Sequence, residues 1–309
     1  METVRAYAPA TIANFNVGYD LLGVSLNNIG DEVHLTFNGR QNNAIIEIVN
    51  GDGLPLDVKK NCCSVVIAKM QEKLNVHRGV DIRIVKGFSA GSGLGSSSAS
   101  SAAAAFGYNE LMGRPFGRKE LIRFASEGER VACGTAHFDN VAPAILGGIV
   151  LVTGTDQKEI IQLPVIDDLH AITLFPKLKI NTEDSRKVLK TNIESKAVVK
   201  QVGLMGAFVS SLYEKDLERF SASLQDVIVE PIRSRFIPKF EEMRSAVMKA
   251  KGLAFGISGS GPSVFAIVKG KGQSKEVLKE LLSVFDEVDL VVQTEINKIT
   301  NNSGARLLK

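Results

Sequence analysis

Gly91-Ser92-Gly93-Leu94-Gly95-Ser96-Ser97-Ser98 lies between an alternating apolar segment, Val80–Val85, and a serine- and alanine-rich run from about Ser97 to Met112. The alternation of Val80, Ile82 and Ile84 with Asp81 and Arg83 reads as a half-buried strand. The small-residue run reads as a helix. Three glycines at the junction let the backbone take positive φ and come close to a ligand. The first turn of the helix adds unpaired N–H groups and the positive end of its dipole, which together suit a phosphate. A P-loop is excluded because no lysine follows Gly95, and the glycine spacing is not GxGxxG. A G-x-S-x-G nucleophile elbow is absent as well. Taken alone, the stretch also reads as a flexible loop before a closely packed helix.

Outward from this centre, Thr3–Ala8 reads as a first strand and Pro9 to Asp20 as a loop. Val33–Phe37 and Ala44–Val49 read as strands joined through an Asn38-Gly39 turn. Asn61 to Leu74 has helical periodicity, and a second helix is expected over about 118–129. Ala144–Thr153, with Gly147-Gly148 inside it, reads as a buried strand region. Residues 154–168 form the best linker. Beyond it come a strand at His170–Phe175 and helices at about 182–190, 196–213, 216–225 and 238–250. The chain then reads strand Leu253–Ile257, loop, strand Ser263–Val268, helix 274–284 and strand Val288–Thr294. Strands and helices without strict alternation imply an α+β fold in two parts, residues 1–160 and 161–309.

The 309 residues are 44% apolar and 23% charged, enough for a sizeable core. Lys plus Arg number 37 and Asp plus Glu 34, and a net charge of +3 leaves no electrostatic footprint for nucleic acid. Three cysteines without CxxC spacing argue against a disulfide framework or a zinc site and fit a cytoplasmic setting. METVRAYAPA has no apolar core of a signal peptide. Residues 90–109 are too polar for lipid, and 141–155 fall short of the roughly 20 residues a membrane span needs.

A second glycine loop, Gly256-Ile257-Ser258-Gly259-Ser260-Gly261-Pro262-Ser263, stands between two strands and by itself reads as a hairpin turn. In order and spacing, the Pro9–Asp20 segment and the two glycine loops resemble the three signature motifs of the GHMP small-molecule kinases. The resemblance covers about residues 3–294. Ala8-Pro9-Ala10-Thr11 through Gly18-Tyr19-Asp20, the stretch Gly134 to Pro143, and Glu230-Pro231-Ile232-Arg233 are similar to the branch that phosphorylates L-homoserine. Two positions depart from the family pattern. Phe88-Ser89 stands where a proline usually precedes the loop, and Ser98 stands where alanine often follows the paired serines.

The resemblance implies a ribosomal-protein-like N-terminal domain and a ferredoxin-like C-terminal domain. It also implies Mg-ATP as phosphoryl donor. Gly91, Ser92, Gly93, Leu94, Gly95, Ser96 and Ser97 would cradle ATP, with Asn61 near the adenine. Ser97 and Glu129 would hold Mg²⁺, which favours one or two hard oxygen ligands besides phosphate and water. Alone, Glu129 reads as a solvated helix-end carboxylate and Asn61 as a helix N-cap. Arg186 and Arg233 match carboxylate-binding positions, where a bidentate guanidinium suits an amino acid. Each taken singly reads as a surface residue. Asp20 matches the position facing the substrate ammonium, and Asn14 and Asn140 would orient the reacting hydroxyl.

Asn140 stands where mevalonate kinase and galactokinase carry an aspartate proposed as general base. An amide cannot accept the hydroxyl proton, so transfer without a strong protein base is implied. The neighbouring Asp139 would point away from Asn140 if the segment were extended. His137 reads as a structural residue, with no metal or triad spacing around it. The helix at 196–213 reads as core or subunit contact, and a homodimer is the family expectation. Neither nucleic acid nor membrane is expected as a partner. Three rivals remain on sequence grounds: a kinase for another small alcohol, a non-catalytic nucleotide or amino-acid sensor, and a nucleic-acid-binding module. The two arginines and Asn140 speak against the first. The intact glycine loops, Ser97 and Glu129 speak against the second. The small net charge and absent tryptophan speak against the third.

Overall fold

The structure, a computed structural model, describes residues 3–177, 189, 192–285 and 291–309. Its first half is a mixed sheet covered on one face by helices. Strand β1 (Thr3–Ala13) pairs antiparallel with β2 (Leu22–Phe37), and β2 pairs with β4 (Val80–Val85). The edge strand β3 (Ala44–Val49) runs parallel to β4. As the alternation predicts, Val80, Ile82 and Ile84 are buried under the helices, with Asp81 and Arg83 on the other face.

Strand β1 runs five residues beyond the expected strand end at Ala8, because its register shifts between Pro9 and Thr11. A proline has no N–H for the ladder, and a local irregularity accommodates it without ending the strand. Helix α1 (Cys62–Leu74) starts where Asn61 Oδ1 accepts the Cys63 N–H at 3.0 Å and ends at Asn75 in the left-handed region. Helix α2 (Ser96–Leu111) is buried on nearly every side. Its alanines and serines let it lie against β1, β2 and the neighbouring helices at once. Helix α3 (Arg118–Cys133) is amphipathic and runs one turn past the expected end.

The region from Phe138 corrects the expectation of extended chain. Helix α4 (Phe138–Leu146) replaces the start of the expected strand, and β5 (Ile149–Val152) is shorter. Pro143 inside α4 disguises it, since proline usually breaks a helix. Pro143 cannot donate to the Asp139 carbonyl one turn back, and that carbonyl instead packs on Gly23 of β2. A Cβ on Gly23 would stand 1.7 Å from Asp139 O.

The second half is a four-stranded antiparallel sheet of β7 (Leu169–Pro176), β8 (Ala254–Ile257), β9 (Val264–Lys269) and β10 (Val291–Lys298), in the order β10-β7-β9-β8. Helices α5 (Ser195–Glu214), α6 (Leu217–Ser223), α7 (Glu230–Arg233) and α8 (Phe240–Lys249) lie between β7 and β8, and α9 (Lys271–Leu282) precedes β10. This is the ferredoxin-like strand order. Most of the helix expected at 182–190 lies outside the described residues, as does the start of the strand expected at 288–294.

The sheets do not divide cleanly at residue 160. Strand β6 (Ile160–Leu163) pairs with β5 in the first sheet, and β11 (Arg306–Leu307) returns from the C-terminal end to pair with β1. A shared core joins the halves, where Phe15 stacks on Phe265 at 5.4 Å and meets Phe208 edge-on at 5.9 Å. No helix among the described residues is long and apolar enough to cross a membrane.

Candidate active site

A cavity of about 450 Å³ opens where α2 begins, between the first sheet's helices and the loop joining β8 to β9. Its walls include Asn14, Asp20, Asn61, Gly91, Gly93, Gly95, Ser96, Ser97, Glu129, Asn140 and Arg233, so these expected site residues gather in one place. Ser92 and Leu94 belong to the same loop but turn inward. Ser92 Oγ accepts the Leu94 N–H at 3.3 Å, and the Leu94 side chain sits in the shared core. Arg186 lies outside the described residues.

The helix start is built for an anion. Gly95 caps α2 in the left-handed region, at φ 69°, with no side chain covering the first turn. The backbone N–H groups of Ser96, Ser97 and Ser98 have no carbonyl one turn earlier to bond. Gly95 also cannot carry a side chain, because a Cβ there would stand 2.3 Å from Thr11 Oγ1 and 2.7 Å from Asn140 Oδ1. Lys86 stands beneath this turn as one half of a buried ion pair. It is paired with Asp31, and donates to Ser96 O at 3.0 Å and Ser100 Oγ at 2.8 Å. Sequence reading missed this cluster, since Asp31 and Lys86 are 55 residues apart and carry no motif.

Glu129 is not the solvated helix-end carboxylate of the first reading, because it is 2% exposed. Its Oε1 is buried with no hydrogen-bond partner among the described residues. Burial pushes its carboxyl up to about 6, opposed by the hydroxyls of Ser97 and Ser98 and by the charge of Lys86. A buried carboxylate oxygen without a donor, beside the Ser97 hydroxyl, is a hard-oxygen pair that fits Mg²⁺. Among the described residues no three His, Cys, Asp or Glu side chains gather around a metal position, so such an ion would take further oxygens from phosphate and water.

Asn61 is committed on both sides of its amide. Its Oδ1 caps α1 and its Nδ2 donates to Pro55 O at 3.0 Å, so it walls the cavity while serving as the N-cap. At the opposite end, Asn14 is a brace. Its Oδ1 accepts the Asp20 N–H at 3.0 Å, and its Nδ2 donates to Gly259 O at 2.9 Å. Arg233 is buried, donates to the same Gly259 carbonyl at 3.0 Å, and stands 5.3 Å over the Tyr19 ring. Thus Asp20, Asn14, Arg233 and the second glycine loop are locked together.

Asp139 and Asn140 both line the cavity, contrary to the expectation for an extended segment. They open α4, and successive residues of a helix turn by 100° rather than 180°. His137 lines the wall with its Nε2 3.1 Å from Thr135 Oγ1. Asn140 Oδ1 accepts from Thr11 Oγ1 at 2.7 Å; Thr11 stands in the Ala8–Thr11 motif, but sequence reading gave it no role.

Residues 59–148 match the family described as GHMP kinases N terminal domain, and residues 208–287 match GHMP kinases C terminal. The chain belongs to the GHMP kinase family. Within that family it is similar to homoserine kinases. The homoserine kinase of Chlorobium phaeobacteroides (strain BS1) is 38% identical over 307 residues, covering 96% of each chain. That of Methanococcus maripaludis (strain C5) is 39% identical and covers 93% of each. The crystal structure of homoserine kinase from Cytophaga hutchinsonii superposes with a TM-score of 0.95 at 36% identity, covering 100% of this chain and 98% of the other. A mevalonate kinase of L. major, at 15% identity and a TM-score of 0.71, shares the fold.

Proposed function

We propose that this chain is an ATP-dependent kinase that phosphorylates the hydroxyl of L-homoserine, giving O-phospho-L-homoserine and ADP in threonine biosynthesis. One observation carries the reading: a single cavity joins a helix start with no side-chain cap, at Gly95, to a braced charged set, Asp20 with Arg233, at the other end. The first end suits phosphate and the second a zwitterionic amino acid. Similarity to homoserine kinases over nearly the whole chain supports the same assignment.

The roles follow from chemistry. The backbone from Gly91 through Ser97 cradles the triphosphate, with Ser92 and Leu94 contributing through main chain alone and Ser96 adding its hydroxyl. Asn61 walls the adenine end. Ser97 and Glu129 hold Mg²⁺, which when bound neutralises charge on the transferring phosphoryl group. Arg233, with Arg186, binds the substrate carboxylate, and Asp20 faces its ammonium. Asn140 holds the hydroxyl, and Asn14 keeps Asp20 and Gly259 in place. Without a strong base, the hydroxyl proton passes to a phosphate oxygen, which a loose transition state tolerates.

The enzyme acts in the cytoplasm as a homodimer. The dimer is supported by α5, which leaves Val199 72% and Val202 65% exposed on one face. The function is tested by ADP release with Mg-ATP and L-homoserine, L-serine, mevalonate, galactose or no acceptor. Selective turnover of L-homoserine is expected. Selective turnover of mevalonate or galactose overturns the acceptor assignment, and ATP binding without turnover of any acceptor overturns the kinase reading.

A further inference from the structure

Thr11 has no part in the roles above, yet it stands at the meeting point of three elements. Its N–H donates to Leu94 O at 3.0 Å, tying β1 to the first glycine loop. Its hydroxyl meets Asn140 Oδ1 at 2.7 Å, and the absent side chain of Gly95 leaves room for that contact. The Thr11 side chain is fully buried. Asn140 is half-buried on the cavity wall, and its Nδ2 has no partner among the described residues.

An asparagine amide has two ends of almost equal shape and opposite chemistry. The environment decides which end faces the cavity. Among the described residues, the Thr11 hydroxyl has one acceptor, Asn140 Oδ1. If the amide turned over, Nδ2 would donate to Thr11 Oγ1 instead, and the threonine O–H proton would be left buried without an acceptor among the described residues. Burying an O–H donor without an acceptor is unfavourable, so the bond that Thr11 donates favours one orientation of the amide.

We propose that Thr11 is a positioning residue that fixes the polarity of Asn140, so that Asn140 presents its N–H donors to the acceptor substrate. The inference rests on the reading of Asn140 given above. With Nδ2 donating to the substrate hydroxyl oxygen, that oxygen keeps a lone pair for the γ-phosphorus and its hydrogen is left to face a phosphate oxygen. In the transfer, a bond forms from the hydroxyl oxygen to the γ-phosphorus. The bond from γ-phosphorus to the oxygen bridging to the β-phosphate breaks. The hydroxyl proton ends on a phosphate oxygen and ADP departs. Thr11 touches none of these atoms and acts only through Asn140.

The test compares Thr11→Val, Thr11→Ala, Thr11→Ser, Asn140→Ala and the double variant Thr11→Val/Asn140→Ala in the full-length protein. Steady-state kinetics and thermal melting are measured for each. Thr11→Val removes the hydroxyl at nearly constant volume and should lower kcat roughly tenfold, the scale of one lost buried hydrogen bond. Both KM values should stay within about twofold, since the interaction matters in the transition state. Thr11→Ser keeps the hydroxyl and should retain most of the activity. In the Asn140→Ala background, Thr11→Val should have no further effect on kcat.

Normal kcat in Thr11→Val with impaired Asn140→Ala would overturn the Thr11 inference and leave the Asn140 reading intact. Normal kcat in Asn140→Ala would instead remove the Asn140 reading. Equal losses in Thr11→Ser and Thr11→Ala, or multiplied losses in the double variant, would show packing rather than polarity and overturn the inference. Should Thr11→Val fail to fold, the Ser-against-Ala comparison decides.

Discussion

Gly91–Ser98 and Gly256–Ser263 are both made mainly of glycine and serine, but the first runs into helix α2 and the second into strand β9. That difference settles what each can do. The first loop ends in backbone donors that the helix itself cannot satisfy, and they face the cavity. The second loop is consumed by partners. Ser258 Oγ donates to Gly93 O at 2.7 Å, the Ser263 N–H to Ser92 O at 3.2 Å, and the Gly259 N–H to Ala13 O at 3.2 Å. Its Gly259 carbonyl receives both Asn14 and Arg233. One loop therefore leaves its helix start open to the cavity, as the proposed phosphate role requires, and the other is the clamp that holds it against the end lined by Asp20 and Arg233.

The largest expected effect breaks the first loop from within. Gly95→Ala drives a methyl into Thr11 and Asn140, and should cut kcat/KM by more than about 100-fold through misplacement of reacting groups. Gly91→Ala is the control. Gly91 also has positive φ, 77°, but nothing lies within 4 Å of its Cβ position. It should cost only the backbone strain of roughly 1–2 kcal/mol seen for a left-handed non-glycine residue. Comparable losses in both variants would mean that strain alone, not the Gly95 contact, governs the loop.

A smaller effect sharpens the picture of the clamp side. Glu230, three residues before Arg233, is buried beside Arg244, and burial pushes its carboxyl from 4.5 up to about 7. A carboxyl raised in the folded state favours folding while protonated. Its contribution is full below pH about 4.5 and is lost as pH rises through about 7. Glu230→Gln should therefore gain on the wild type by roughly 2–5 °C in Tm between pH 5 and pH 8. A constant Tm difference would contradict the raised carboxyl.

Much of this was legible in the sequence because it depends on local pattern. Val80–Val85 announces its buried face by alternation, and Gly95 followed by serines announces a helix start. The family resemblance supplied Asp20, Asn140 and Arg233, and the cavity brings them together. What escaped depends on distant contacts. Pro143 hid α4 because the carbonyl to which it cannot donate packs against Gly23, far away in the chain. Thr11 looked like any β-branched residue until α4 placed Asn140 against it. Asn14 could be grouped with the site from the resemblance, but its work as a brace depends on Gly259, 245 residues away.

The division of labour between the two ends of the cavity is tested most directly by KM for L-homoserine and KM for Mg-ATP, measured side by side in Arg233→Ala. Loss of a bidentate carboxylate partner should raise the homoserine KM at least roughly tenfold while the Mg-ATP KM moves by less than about twofold. Equal rises in both constants would contradict the account, because Arg233 would then serve the cavity as a whole rather than its amino-acid end.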